Sequence, residues 1–338
     1  MNENYHYFVV KTLACRAGFD DGEAQFIAAF SQQIDDFVFE HPVFLTQAPP
    51  QFFIDNGYAK KLDNNSWIFF PHSTGISTLL SVWSEFQKNT LVPFHFIPIK
   101  PLSEIDKSTN VNRDDYRCVI GSDKKAQMIN NLAAQAVENV KTLKNNKSLM
   151  RLGMILHTYA DTYSHCHYSG LHGWENNSFI FNVDNLIEPK NPVPVFDRIF
   201  YWLAPSIGHA NTGHTPDICS YTIDLKMKNN INDAFSFDNN RSNSGSFGIC
   251  SYNIFKFLCQ ANSQSEDFIK DTWSKLEKEL LKAEPVADET DTEALTMHWK
   301  SYFSDIDYRY DKSQCFNLDI KIEGFNAVIA ERVGISQK

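Results

Sequence analysis

Apolar residues recur along most of the chain at intervals of three and four positions, the spacing of one face of an α-helix. The first such segment, residues 2–18, ends at Gly18, a residue type that commonly follows a helix terminus. The second, residues 20–39, opens with acidic residues and carries its apolar stripe as far as Asp35. The same spacing predicts further helices over residues 73–88, 122–143, 148–165, 247–261, 265–283 and 291–305.

Segments rich in Pro, Asn and Gly separate these helices and predict long irregular loops. The loops are predicted over residues 40–65, 93–115, 187–196 and 237–246. Residues 66–70 and 317–325 have the composition of short strands, so no large sheet is expected. Loops of this length are uncommon in compact domains unless they build a functional site.

The organisation of the chain is predicted to be simple. We find no internal repeat and no linker long enough to divide it, and 338 residues are enough to bury a substantial core. We therefore predict one mainly α domain over residues 1–338. Core helices and the site are expected in residues 1–220, and further helices in residues 221–338.

Composition and charge limit the possible partners. Hydrophobic residues make up 43% of the chain, which excludes global disorder. The 31 basic and 41 acidic residues give a formal net charge of −10, which argues against a surface for duplex nucleic acid. A phosphate group would instead need a local pocket that is basic or lined by metal ions. The 27 Phe, 13 Tyr and 6 Trp favour a broad core or an apolar cleft.

Cysteine usage and the N-terminal sequence favour a cytoplasmic protein. The seven cysteines include no C-x-x-C pair, which fits reduced thiols better than a disulfide framework. Residues 1–21 lack the basic region and apolar run of a signal peptide. No apolar segment approaches the roughly 20 residues that a membrane helix needs. Export by a route that needs no cleaved signal is the alternative.

The most informative segment is Leu156–Glu175, which contains four histidines, an aspartate and a glutamate. Residues four apart on an α-helix differ by about 40° around its axis, so His157, Asp161 and His165 form one stripe. Two imidazoles and a carboxylate are typical ligands of zinc or another borderline metal. The alternative is a solvated polar face, but the flanking residues are apolar. A buried aspartate among histidines is costly unless a cation compensates it, so the stripe predicts a metal site.

Other segments are expected to complete this site. Asp35 and Asp36 end a helical stripe, where acidic residues are unusual, and the spacing of Asp35 makes it the preferred ligand of the two. Residues 208–217 bring two histidines and an aspartate together with glycines that permit close backbone approach. The further candidate ligands are His6, His72, His209, His214 and Asp217.

Two histidines in aromatic loop segments are harder to interpret. A lone histidine in such surroundings is usually a hydrogen-bonded structural residue. This interpretation applies to His72 and to His95, and of the two only His72 is retained among the candidate ligands.

The spacing His-x3-Asp followed by another histidine on a helix resembles the metal-binding motif of zinc-dependent phospholipases C and fungal single-strand nucleases. These are all-α enzymes that cut phosphate esters with three zinc ions. The resemblance implies a phospholipase C-like fold and makes His167, six residues after Asp161, the third ligand of the motif. His165 is then an additional ligand. His167 reaches the site if the helix ends before Gly170.

A closer resemblance connects the chain to a bacterial family described as a domain of unknown function. The segments that carry it are residues 4–19, 28–37, 93–98, 156–170 and 208–217. They span roughly the first two thirds of the chain.

The chain also departs from the phospholipase C pattern. Those enzymes place the mature N-terminal amine and a leading tryptophan on a metal, and because this chain begins with Met the arrangement is not expected here. Their second His-x3-Glu or His-x3-Asp pair is replaced by His209, His214 and Asp217 at different spacing. One or two ions are therefore a safer expectation than three, although one to three ions of Zn²⁺ or another divalent metal remain possible.

These features together predict a metal-dependent hydrolase, and specifically a phosphodiesterase or phospholipase C-like enzyme that acts on a small-molecule or lipid phosphoester. Metal-bound water would attack the phosphorus, with Asp36 or Asp217 as general base. A phosphohydrolase of the His-Asp type is disfavoured because the adjacent His-Asp dipeptide is missing. The alternative is a non-catalytic helical binding protein that a metal stabilises. The sequence predicts no oligomeric state.

Overall fold

Helices form most of the secondary structure in the computed structural model. The structure describes residues 1–38, 42–49, 51–55, 57, 59–69, 73–76, 80–105, 114–185, 205–227, 237–286 and 291–312. The α-helices are α1 (Val10–Arg16), α2 (Asp21–Asp36), α3 (Gln51–Asp55), α4 (Ser84–Phe86), α5 (Gln127–Thr142), α6 (Asn146–Ser164), α7 (Asn243–Ala261), α8 (Glu266–Ala283) and α9 (Thr292–Tyr302). The mainly α prediction is confirmed.

Two segments form π-helices, which have wider turns than an α-helix. The first, π1 (Asn4–Val9), runs directly into α1. The second, π2 (Gln87–His95), follows α4 and contains Pro93. Short 3₁₀-helices of the described chain include Trp174–Asn176, Ala210–Thr212 and Thr215–Asp217.

The long helices begin at residues that satisfy their free backbone N–H groups. Helices α2 and α6 have reciprocal capping boxes, formed by Asp20 with Glu23 and by Asn145 with Ser148. Helices α7 and α8 have the side chain of a serine as N-cap, and Asp291 caps α9. These local signals explain why the helical boundaries follow the sequence prediction closely in this part of the chain.

The centre of the molecule is α6, which packs against α2, α5 and α7. Its second half, from Leu152 to Ser164, is buried on every side, so its polar residues also lie in the interior. Gly153 permits a close crossing with α2, because a Cβ atom there would lie 2.3 Å from the carbonyl oxygen of Ile27. This crossing brings the end of α2 close to the histidine stripe of α6.

Two small antiparallel sheets flank the helices. Strands β1 (Val43–Leu45) and β2 (Ala59–Lys61) pair with the central strand β3 (Trp67–Phe69). Strands β4 (Ser178–Asn185) and β6 (Phe237–Ser242) pair with the central strand β5 (Tyr221–Met227). The predicted strand at residues 66–70 is confirmed by β3.

The structure corrects three other predictions. The predicted loop 40–65 contains β1, α3 and β2, since pairing with β3 satisfies the backbone of the two strands. Residues 73–76 are not helical, because the amides of Thr74 and Gly75 donate to the carbonyl oxygen of Phe37 instead; the helical structure begins at Ser84 and continues into the predicted loop as π2. The predicted loop 237–246 is β6 followed by the start of α7, since pairing with β5 satisfies its backbone.

The predicted strand at residues 317–325 and the predicted loop at residues 187–196 lie outside the described residues. The single-domain organisation stays a prediction. In the part of the chain that the structure describes, no helix combines the length and apolar character needed to span a bilayer.

Candidate metal centre

Helix α6 supplies the middle of the site through the predicted stripe. The Nε2 atom of His157 lies 3.3 Å from Asp161 Oδ2, and the Nδ1 atom of His165 lies 3.5 Å from the same oxygen. The helix ends at Ser164, and His165 is the residue that caps it. All three side chains are almost fully buried.

The two π-helices bring one histidine each to Asp161. His6, in π1, places Nε2 3.1 Å from Asp161 Oδ1. His95, the last residue of π2, places Nδ1 3.1 Å from Asp161 Oδ2. π-Helical turns are rare and often occur at functional sites. Here, both described π-helices carry a residue of the same cluster.

Asp35 approaches this cluster from the last turn of α2. Its Oδ1 atom lies 3.7 Å from both His95 Nδ1 and His157 Nε2, and its Oδ2 atom lies 3.9 Å from His6 Nε2. The Asp35 side chain is 28% exposed, whereas that of Asp161 is 1% exposed. Asp35 is therefore the carboxylate of the cluster that solvent reaches.

A second cluster forms where the end of α6 meets the 3₁₀-helices. The Nε2 atom of His165 lies 3.2 Å from Asp217 Oδ1, and the Nε2 atom of His209 lies 3.4 Å from Asp217 Oδ2. We call His165, His209 and Asp217 the second donor group. The first donor group consists of His6, Asp35, His95, His157 and Asp161.

Both groups place donor atoms close enough together that they could hold a metal ion. In the sets His6–Asp35–His157, His95–His157–Asp161 and His165–His209–Asp217, one donor atom from each residue lies within 4.8 Å of the others. Imidazole and carboxylate donors suit zinc and similar divalent ions. Several buried histidine–aspartate clusters that could hold a metal are therefore present.

Three histidines are oriented by backbone carbonyl groups. His95 Nε2 donates to Thr74 O at 2.7 Å, His165 Nδ1 to His95 O at 2.8 Å and His209 Nδ1 to Gly213 O at 2.6 Å. A carbonyl oxygen only accepts, so the nitrogen facing it carries the proton, and in the neutral ring the other nitrogen has the lone pair. In each case that second nitrogen faces a carboxylate of the site. This is the outer arrangement that metal-ligating histidines commonly have.

His6 and His157 are held differently. Their rings stack with centroids 3.8 Å apart, and the Nδ1 atom of each is buried without a hydrogen-bond partner among the described residues. Both Nε2 atoms face Asp161. Polar atoms that are buried and unsatisfied are rare, and they call for an explanation such as an ion or water at the site. The Nε2 atoms that face the carboxylates are imidazole donors, and together with Asp35 and Asp161 they form a set that could hold a divalent metal.

The amino group of Met1 lies between the two donor groups. It donates to Asp161 Oδ1 and, at 2.9 Å, to Ser164 Oγ, and it lies 3.1 Å from Asp217 Oδ1. The structure therefore corrects the expectation that an N-terminal amine is not part of this site. Among the described residues, no lysine or arginine forms an ion pair with Asp161 or Asp217.

The electrostatics differ among the histidines of the site. At His95, burial acts to lower the pKa, but the hydrogen bond to Asp161 and the charges of Asp161 and Asp35 outweigh it and raise that pKa. Burial lowers the pKa values of His6, His157 and His209 to about 4, so these rings keep a free lone pair at neutral pH. Burial alone would raise the pKa of Asp161, but His165, the Met1 ammonium and His157 outweigh it and hold that pKa well below its usual value.

The other two carboxylates differ from each other. Burial opposes ionisation of Asp217, but the Met1 ammonium, His209 and His165 hold its pKa well below the usual value. Removal from solvent raises the pKa of Asp35, and the nearby Asp161 carboxylate adds to this rise, while His6 and His95 oppose it. Asp35 is thus the more basic carboxylate.

The structure does not bring every predicted ligand to the donor groups. His167 has a left-handed backbone conformation with φ of 76°. Burial, together with the positive charges of Arg117 and Arg241, lowers the pKa of its ring to about 4. His214 is 86% exposed, with Nδ1 4.0 Å from Asp217 Oδ2. Asp36 accepts from Tyr310 and pairs with Lys312 at 2.8 Å. His72 lies outside the described residues.

Sequence reasoning missed His95 and the position of the Met1 amine. The aromatic neighbours of His95 favour a structural histidine. The available signal was that its segment, residues 93–98, is one of those that carry the family resemblance. No pattern in the sequence indicates where the amine would lie, since that depends on how π1 packs against α6.

The fold and site define a mainly helical protein with buried histidine–aspartate clusters that could hold a metal. The chain belongs to the family described as "Family of unknown function (DUF6765)", whose model matches residues 1–328. The predicted membership of a family of unknown function is thereby confirmed. No curated protein and no solved structure matches the chain. The likeness to phospholipase C stays a prediction.

Proposed function

We propose that the protein is a metal-dependent hydrolase that cleaves phosphodiesters, with zinc as the metal that best suits its donor set. The observation that carries the proposal is the orientation of His95, His165 and His209. Each ring donates one N–H to a backbone carbonyl and directs its other nitrogen at a buried carboxylate. Neutral imidazoles fixed in this way are suited to metal coordination.

The two donor groups would hold separate ions. His6, His95, His157 and Asp161 would bind in the first group, and His165, His209 and Asp217 in the second. A bound zinc ion acts as a Lewis acid on a phosphoryl oxygen and promotes ionisation of water. With an ion in each donor group, the site would stabilise both the attacking and the leaving oxygen of a phosphodiester. Asp161, which neighbours histidines of both groups, would be a ligand in the first.

Asp35 fits the role of general base better than the residues that the sequence suggested. Its oxygens lie 3.7–3.9 Å from the imidazole nitrogens, compared with 3.1–3.3 Å for Asp161, and its side chain is partly exposed. Asp35 would therefore orient and deprotonate the attacking water. Asp36 is tied to Tyr310 and Lys312, and Asp217 fits the role of ligand better.

The charge of the protein agrees with recognition of phosphate through metal ions. With a net charge of −10, the chain would hold a phosphodiester anion through its ions rather than through a broad basic surface. The proposed substrate class is the phosphoester of a lipid or of a small molecule.

One observation favours a second candidate, a metal site that serves the fold. His6 and His157 are 0% exposed and Asp161 is 1% exposed, and structural zinc sites are closed by four protein ligands. In that case the protein would be a metal-stabilised binding protein without hydrolytic activity.

Hydrolysis of bis(4-nitrophenyl) phosphate by the zinc-loaded full chain tests the proposal. We expect turnover that a chelator abolishes and added Zn²⁺ restores, and that His157→Ala and Asp161→Ala lose. His298→Ala, a histidine of α9 bonded to the carbonyl oxygen of Ala283, is the control and should retain turnover. If chelation unfolds the chain and no phosphodiester is turned over before or after it, the structural candidate is correct.

A further inference from the structure

A buried arginine connects the two segments that carry the second donor group. Arg241 lies in β6 and is 6% exposed. Its Nη1 atom donates to Ser164 O at 2.8 Å, and its Nη2 atom donates to Pro216 O at 2.8 Å. Ser164 directly precedes His165, and Pro216 directly precedes Asp217. One guanidinium group therefore holds the backbone next to two of the three donors.

Asn243 extends this arrangement. Its Oδ1 atom accepts from Arg241 Nε at 2.8 Å, and its Nδ2 atom donates to the carbonyl oxygens of Thr215 and Ile218, both at 2.8 Å. Asn243 is fully buried at the start of α7. The carbonyl oxygens of Thr215, Pro216 and Ile218, on both sides of Asp217 in the chain, therefore all accept hydrogen bonds from Arg241 or Asn243.

The contacts of Arg241 do not form an ordinary ion pair. Within the described ranges, no acidic side chain pairs with its guanidinium group; the acceptors are carbonyl oxygens, the Asn243 amide and Cys166 Sγ at 3.4 Å. Burial of a charge without an oppositely charged partner is costly, so a contribution to the stability of the fold does not by itself explain an arginine at position 241. The planar guanidinium fork reaches several acceptors in fixed directions, which a lysine ammonium cannot do.

We propose that Arg241 is a positioning residue which, together with Asn243, sets the distance between His165 and Asp217 and so makes the second donor group a metal site that loads separately from the first. The proposal rests on the proposed function, since it requires that the donor groups bind metal. The alternative is that Arg241 and Asn243 serve only the stability of the fold.

Titration of the metal-free full chain with Co²⁺, followed by its visible absorption, tests this proposal. We expect two binding steps in the unmodified chain. Arg241→Lys keeps the charge but loses the planar guanidinium group. It should weaken Co²⁺ binding in the step that loads the second donor group by about 10- to 100-fold, the usual effect of removing an outer partner of a metal ligand. The other step should be unchanged.

Arg117→Lys is the matched control. Arg117 is buried to a similar degree, at 5% exposure, and its Nη2 atom donates to the carbonyl oxygen of Glu175, which belongs to neither donor group. This variant should lose thermal stability but keep both Co²⁺ steps. Asn243→Ala, which leaves Arg241 in place, should weaken the same step as Arg241→Lys and supplies the test if Arg241→Lys does not fold.

The outcomes separate this proposal from the proposed function. If the unmodified chain binds Co²⁺ in one step, or if Arg241→Lys and Arg117→Lys alter the two steps equally, the positioning role is wrong while the metal site stands. If the unmodified chain binds no Co²⁺, both proposals are wrong.

Discussion

At the scale of single residues, residues of the same type that lie close together in the sequence have different surroundings in the structure. His165 and His167 are two positions apart, and Asp35 and Asp36 are adjacent. The structure directs His165 and Asp35 at the donor groups and gives His167 and Asp36 other surroundings. His167 follows the end of α6 with a left-handed backbone conformation, whereas His165 directly caps the helix.

The pair of histidines gives the first prediction. We expect His165→Asn to lower the zinc content by about one ion per chain, since it removes a ligand of the second donor group. His167→Asn should keep the full content, and asparagine tolerates the left-handed conformation found there. Elemental analysis of both variants checks this. The reverse result would show that the third ligand is the one implied by the phospholipase C resemblance.

The pair of aspartates gives the second prediction. Asp35→Asn should reduce kcat on bis(4-nitrophenyl) phosphate by about 10²- to 10⁴-fold, the range for loss of a general base. Asp36→Asn should leave kcat within a few-fold, because the Asp36 carboxylate is engaged by Tyr310 and Lys312 and belongs to neither donor group. Steady-state kinetics with zinc-saturated protein measures both values. Equal losses in the two variants would remove Asp35 from the mechanism.

At the scale of elements, the position of the site depends on features that periodicity reveals only in part. The helical spacing and caps allow α2, α5, α6, α7, α8 and α9 to be predicted within a few residues. The two π-helices cannot be predicted in this way, because a local widening of the turn leaves no distinct apolar period. This is why the donor position of His95 was missed. The strand β6 depends on its partner β5, which local composition does not report.

The crossing of α2 and α6 gives the third prediction. Gly153→Ala should destabilise the protein by about 1–3 kcal/mol, since the added methyl group overpacks against Ile27 O and outweighs a helix-propensity gain of about 1 kcal/mol. Displacement of α2 should also weaken metal binding through Asp35. Chemical denaturation and zinc titration measure the two effects.

Gly248→Ala is the control for this prediction. Gly248 lies in α7, and the nearest atom to an added methyl group is Leu281 Cδ2 at 3.6 Å, an ordinary contact. This variant should be neutral or more stable by up to about 1 kcal/mol. Similar destabilisation in both variants would mean that the close crossing is not the cause.

A buried carboxyl group at the end of α8 gives the fourth prediction. Burial raises the pKa of Glu284 from 4.5 to about 7, although Ser251 and Cys219 act in the opposite direction. Between these two values the folded state binds the proton and the unfolded state does not. The free energy of unfolding should therefore fall as the pH rises from about 4.5 to about 7, by about 3 kcal/mol for this group.

Glu284→Gln should remove that part of the pH dependence, because the amide stays neutral in both states. Denaturant unfolding of the two proteins at a series of pH values measures the difference in slope. Glu284 accepts from Ser251 Oγ at 2.9 Å and does not contact the donor groups, so metal content should be unaffected. Identical slopes in the two proteins would contradict the pKa assigned to Glu284.

At the scale of the whole molecule, the sequence predicts the class of structure and the residue types of the site better than it predicts which elements bring those residues together. A mainly helical chain with a histidine–aspartate stripe on α6 could be read from spacing alone. The grouping of residues from π1, α2, π2, α6 and the 3₁₀-helices could not, since it arises from long-range packing. The family model, which matches residues 1–328, spans all the elements that supply this grouping.

The most direct test of the central claim is the metal content of the purified full chain, measured by inductively coupled plasma mass spectrometry after equilibration with Zn²⁺ and removal of free ions. We predict at least one tightly held ion per chain, lost in His157→Ala and Asp161→Ala and retained in His298→Ala. A chain that retains no divalent ion, or variants that retain as much as the unmodified protein, would contradict the assignment of these buried side chains to a metal centre.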